Sequence, residues 1–152
     1  MGFRLQHGEA MGKGLRRVAL ERLDDAIERL DGLVDLDPAG TEAAVHAVRK
    51  RAKEVRGLLR MVRPHLGDGY GLANAGLRDA AAELASLRDA QALAATFSDL
   101  RASMGDDPVH RSELDALQRV LDGRAAQAAE AAVGAEDERV GRCREGVVAV
   151  RR

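Results

Sequence analysis

Residues 41–66 read TEAAVHAVRKRAKEVRGLLRMVRPHL. Val45, Val48, Ala52, Val55, Leu59 and Val62 recur at alternating spacings of three and four, the period of one face of an α-helix. At about 100° per residue they fill a sector of roughly 160–260° counted from His46. The cations fall on the adjoining side: Lys50 near 40°, Lys53 near 340°, Arg60 near 320°, Arg49 near 300°, Arg56 near 280° and Arg63 near 260°, all about their helical-wheel positions. One helix over about residues 41–65, with Thr41 as its expected N-cap, therefore carries a buried aliphatic stripe with a row of cations beside it.

The same periodicity extends outward on both sides. Before this segment, Leu15, Val18, Ala19, Leu23, Ile27, Leu30, Leu33 and Val34 predict a helix over residues 9–36. After it, long helical patterns cover residues 71–104 and 108–134, and a weaker one covers 136–152, where Gly141 and Gly146 lower helix propensity. Breaks fall at Asp37–Thr41, Gly67–Gly71 and Met104–Pro108, with a softer one near Gly134. Pro108 suits a first helical turn, and the alanine-rich run 124–135 reads as a close-packing face. No strand pattern or internal repeat stands out. The expectation is an all-α fold: one domain over residues 1–152, an up-and-down four-helix bundle with a short extra C-terminal helix.

Composition narrows the function. The chain has 152 residues, 45% hydrophobic and 32% charged, which describes a folded domain rather than a disordered one. Phe3, Tyr70 and Phe97 are the only aromatics, too few for a base-stacking platform. Cys143 is the single cysteine, so there is no internal disulfide and no multi-cysteine zinc site; a half-buried inert thiol is expected. No apolar run approaches the roughly 20 residues that span a bilayer. The N-terminus lacks an apolar signal core, and Gln6 breaks the myristoylation pattern, so the expected location is cytoplasmic. Nucleotide-binding glycine loops and zinc-protease or serine-hydrolase motifs are absent. His7, His65 and His110 have no partners at metal-ligand spacing, and no carboxylate pair invites general acid–base work. No cofactor, metal or catalytic residue is expected.

The net charge of −1 conceals an uneven distribution. Residues 41–65 hold seven Lys/Arg and two acids, a local charge of +5; the other 127 residues hold 17 basic and 23 acidic residues, or −6. Like charges at i,i+4 repel on a helix, and only Glu54 intervenes, on another side. An unneutralised cation row beside a buried stripe lines an interhelical groove and suits an extended anion. Asn74, Arg78, Ala81, Ala85 and Arg88 share one face of the following helix, where small alanines leave room between donors. Arg88 is followed by Asp89, an orienting carboxylate. The competing reading is an ordinary solvated or internally neutralised face, because the first helix carries Glu21, Asp24, Asp25 and Glu28.

The run Val45–Arg56, VHAVRKRAKEVR, followed by Arg60, resembles the signature of CHAD domains, histidine-bearing α-helical domains. Leu77-Arg78 and Leu87-Arg88-Asp89 look like the family's second segment, and Phe3-Arg4-Leu5 with Gly14–Ala19 like its lead-in. The likeness covers residues 3–100 well and the rest loosely. It implies half of a double bundle whose basic helices line a channel for inorganic polyphosphate. Members accompany triphosphate-tunnel domains or localise to polyphosphate granules. The implied ligands here are His46, Arg49, Lys50, Lys53, Arg56 and Arg60, then Arg63, Asn74, Arg78 and Arg88. A second basic helix with its own histidine is missing: His110 is the only later histidine, and Leu117 stands where a cation would recur. Residues 139–152 then look like the linker helix before an absent repeat. The chain is expected to be a single-bundle member or one truncated at its C-terminus, and a homodimer facing two basic helices would complete the channel. The expected activity is binding without catalysis. The alternatives are a metal-dependent polyphosphate or triphosphate hydrolase, a nucleic-acid binder, which is disfavoured by the packing on both sides of the basic helix, and a scaffold for an acidic protein.

Overall fold

The computed structural model describes residues 3–104, 110–133 and 138–152. Its regular elements are α1 (Met11–Asp31), a 3₁₀ turn (Leu33–Asp35), α2 (Pro38–Met61), α3 (Arg63–Leu66), α4 (Gly69–Glu83), α5 (Ala85–Met104), α6 (Arg111–Val133) and α7 (Glu138–Arg151). Among the described residues there is no strand, so the fold class is all-α. The expected Pro108 helix start and the break near Gly134 lie outside the described residues.

Pairing among the helices runs α1 on α2, α2 on α4, α4 on α7 and α7 on α1. The α5–α6 pair lies against α2. One aliphatic core joins them, with Leu30, Val45, Val48, Val55, Leu77, Leu84 and Val147 almost fully buried. Leu30 on α1 and Val45, Val48 and Val55 on α2 occupy the expected faces of those helices. Val34 does not, being 68% exposed. The α-helix stops at Asp31, and the following 3₁₀ turn rotates Val34 away from the core.

Two further boundaries differ from expectation. Asp37, not Thr41, caps α2: its carboxylate accepts the Gly40 N–H at 2.7 Å, and Pro38 occupies the first turn, where a missing N–H is harmless. Thr41 is inside the helix and buried. The helix expected over 71–104 is two helices, broken at Leu84. No glycine or proline marks that break. It is set by packing, because α4 lies along α2 and α7 whereas α5 lies along α6, and Leu84 and Leu87 both remain buried across the turn. Before α4, Gly67 adopts φ +51°, a conformation open to glycine, and separates it from α3.

The C-terminal segment is part of the core. Helix α7 buries Cys143 and Val147 and packs along α4 and α1. Arg144 reaches Asp31 at 2.5 Å, and Arg151 is bonded to Asp24. Gly146 is essential to this approach: a Cβ there would stand 2.9 Å from the Cβ of Ala80. Gly141 has open space around its Cβ position. The two glycines therefore predict opposite signs. Gly141→Ala should raise stability by about 0.5–1 kcal/mol through helix propensity. Gly146→Ala should lose about 1 kcal/mol net, since overpacking costs about 1–3 kcal/mol against that same gain. Urea denaturation of the two variants checks this, and stabilisation by both would show that α4 and α7 are not in close contact.

Candidate anion-binding site

Helix α2 carries the basic residues, and its own aliphatics orient them. With Val45, Val48, Ala52 and Val55 in the core, the adjoining face opens beside α4 and α5. His46, Lys50, Lys53 and Arg60 are exposed, and Arg49 and Arg56 are half-buried. From His46 to Arg60 the row spans about 21 Å at the helical rise of 1.5 Å per residue.

The two half-buried guanidiniums are held by neutral oxygens. Arg49 donates from Nη1 to the backbone carbonyl of Ala81 at 2.6 Å. That carbonyl is in the last turn of α4, where the break at Leu84 leaves carbonyls without helical donors. Arg56 donates from Nε to Oδ1 of Asn74 at 2.9 Å. This arrangement leaves the outer nitrogen pair of Arg56 available for a bidentate anion contact. Neither bond neutralises a charge.

Apart from Glu28, the acids of α1 are engaged by arginines outside the cation row. Asp25 binds Arg51 at 2.6 Å and Arg29 at 3.1 Å, Glu21 binds Arg17, and Asp24 binds Arg151. Burial pushes the Asp25 carboxyl up, but the Arg29 and Arg51 bonds outweigh it and hold the group below its ordinary value. Glu54 also turns to Arg51, at 3.0 Å. Among the described residues, Arg51 is thus the only one of the seven Lys/Arg in 41–65 that meets a carboxylate. The internally neutralised reading does not describe the stripe.

The outlying residues separate into three groups. Asn74 joins the stripe through Arg56. Arg63 lies on α3 with its guanidinium carbon 5.0 Å from the centre of the Tyr70 ring, a cation–π contact that keeps its charge. Arg78 pairs with its neighbour Asp79 at 2.8 Å, and both are exposed. The Arg78 guanidinium holds the Asp79 carboxyl below its usual range. The single face expected for Asn74, Arg78 and Arg88 is divided by the break at Leu84. Arg88 belongs to α5, where it lines a cavity of about 250 Å³ with His46, Glu42, Gln91, Thr96 and Asp99. Its contact with Asp89 is long, at 4.0 Å. Glu42, Gln91 and Asp99 carry no motif. Glu42 precedes His46 by one helical turn and Gln91 follows Arg88 by three residues, spacings that put each pair on one face.

Cys143 is fully buried rather than half-buried. Burial pushes its thiol up to about 12, with Glu83 adding to the shift and Arg49 partly opposing it, so it stays protonated at neutral pH. Among the described residues, no group of three His, Cys, Asp or Glu side chains is disposed to hold a metal ion, and no helix is long and apolar enough to cross a membrane.

The model of the CHAD domain family matches residues 21–145, most of the chain, and the protein belongs to that family. The match begins after the expected lead-in at residues 3–19 and reaches well into α7, taking in the segment after residue 100 where the likeness was looser. No curated protein and no solved structure matches the chain.

Proposed function

We propose that this protein is a binding module for inorganic polyphosphate or a similar linear polyanion, acting without catalysis of its own. The reading rests on one observation above others. Seven Lys/Arg crowd residues 41–65, the acidic helix beside them is packed in place, and among the described residues only Arg51 meets a carboxylate. Membership of the CHAD family, which is associated with polyphosphate or triphosphate-like substrates, supports the same reading.

The mechanism is electrostatic clamping. Arg49 and Arg56 are preorganised by the Ala81 carbonyl and Asn74, so less side-chain freedom is lost on binding. Lys50, Lys53 and Arg60 supply exposed cations on either side of them. His46, at the cavity end with Arg88, donates from both ring nitrogens when protonated. A polyphosphate has no base to read, so recognition follows charge density along the thread. Orthophosphate can reach only one or two of these cations at once.

Isothermal titration with long-chain polyphosphate and with orthophosphate, in the same buffer, tests the proposal. The long chain should bind at least about a hundredfold more tightly, the equivalent of two further charge-assisted contacts. Equal affinity per phosphate, or no binding of the long chain, would reject it.

A further inference from the structure

A second concavity, of about 550 Å³, lies between α1, α2, α3 and α7. None of His46, Arg49, Lys50, Lys53, Arg56 or Arg60 lines it. Its volume is within the roughly 300–1,000 Å³ of small-molecule sites. Leu15, Leu59, Val62 and Val150 form much of its wall and are only half-buried. Four aliphatics left partly wet around one hollow form a surface that gains by taking up an alkyl chain.

The polar side chains of its lining are all basic. Arg16, His65, Arg151 and Arg152 border the hollow, and no Asp or Glu side chain does so. Arg151 is committed to Asp24. Arg16 and Arg152 are exposed and meet no carboxylate among the described residues. A guanidinium presents a planar fork that matches a carboxylate. Apolar walls under unpaired guanidiniums define the chemistry of a ligand with a hydrocarbon tail and an anionic head.

We propose that this cavity binds a fatty carboxylate, its alkyl chain between α1 and α2 and its head group on Arg16 and Arg152. The inference is independent of the polyanion stripe. Calorimetric titration of the full chain with dodecanoate below its micelle concentration tests it, with dodecylammonium and acetate as comparisons. Dodecanoate should bind one to one. Dodecylammonium, which meets the guanidiniums with the wrong charge, and acetate, which has no tail, should each bind at least about tenfold more weakly. Replacing Arg16 and Arg152 by Ala, both on the surface, should weaken dodecanoate about tenfold or more without loss of helical circular dichroism. Leu20→Trp, which fills the hollow from α1, should weaken it as well. Equal binding of dodecylammonium, absence of dodecanoate binding, or unchanged affinity in the arginine variant would each overturn the proposal.

Discussion

Replacing Lys50, Lys53 and Arg60 together by alanine is expected to lower the affinity for long-chain polyphosphate about a thousandfold, roughly tenfold for each lost charge-assisted contact. These three side chains are exposed and make no internal hydrogen bond or ion pair among the described residues. Their removal therefore leaves no buried group unsatisfied. Alanine is the best helix former, and losing like charges relieves repulsion along α2, so the variant should be at least as stable as the parent. Arg49 and Arg56 are less suitable choices for this purpose. Truncating Arg49 strands the Ala81 carbonyl and truncating Arg56 strands Asn74, so their variants mix binding with structure. Titration calorimetry with a parallel melt reads both effects. Unchanged affinity in a folded triple variant would locate polyphosphate binding away from α2.

Salt should act nearly as strongly. By analogy with single-stranded nucleic acids, the logarithm of the binding constant falls with a slope of about −0.7 per neutralised phosphate against the logarithm of salt. Six contacts along α2 give a slope near −4, so a fourfold rise in salt should weaken binding roughly 300-fold. His46, Lys50, Lys53 and Arg60 are exposed, where screening is strongest, and the half-buried Arg49 and Arg56 are screened less. Binding measured at several salt concentrations checks the slope, and a flat response would mean that hydrogen bonding or shape, rather than charge density, holds the anion.

How far the amino-acid sequence carried these features depends on whether each is local. The aliphatic and cationic sectors of α2 follow from a 3.6-residue period, and Val45, Val48 and Val55 are buried where that period puts them. The identities of the neutralised and unneutralised cations are a tertiary matter. Arg51 finds Asp25 from another helix, whereas Arg49 finds a carbonyl that exists as an acceptor only because α4 ends at Glu83. That break has no glycine or proline to signal it, so Arg88 was expected on one face with Asn74 and instead shares a cavity with His46. Gly146 was similarly ambiguous. Read alone, it weakens a helix; against Ala80, it is what lets α7 approach. The cap at Asp37 shows the opposite case, since Asp-Pro is a local start signal that outweighs Thr41 four residues later.

A threadlike polyanion is expected to lie along the cationic face of α2. A crystal structure of the protein with bound polyphosphate tests it most directly. A continuous chain of phosphates should run from His46 past Lys50 and Lys53 to Arg60, with Arg56 contacting it through the nitrogens that Asn74 leaves open. Phosphates gathered on another surface, with α2 bare, would contradict it.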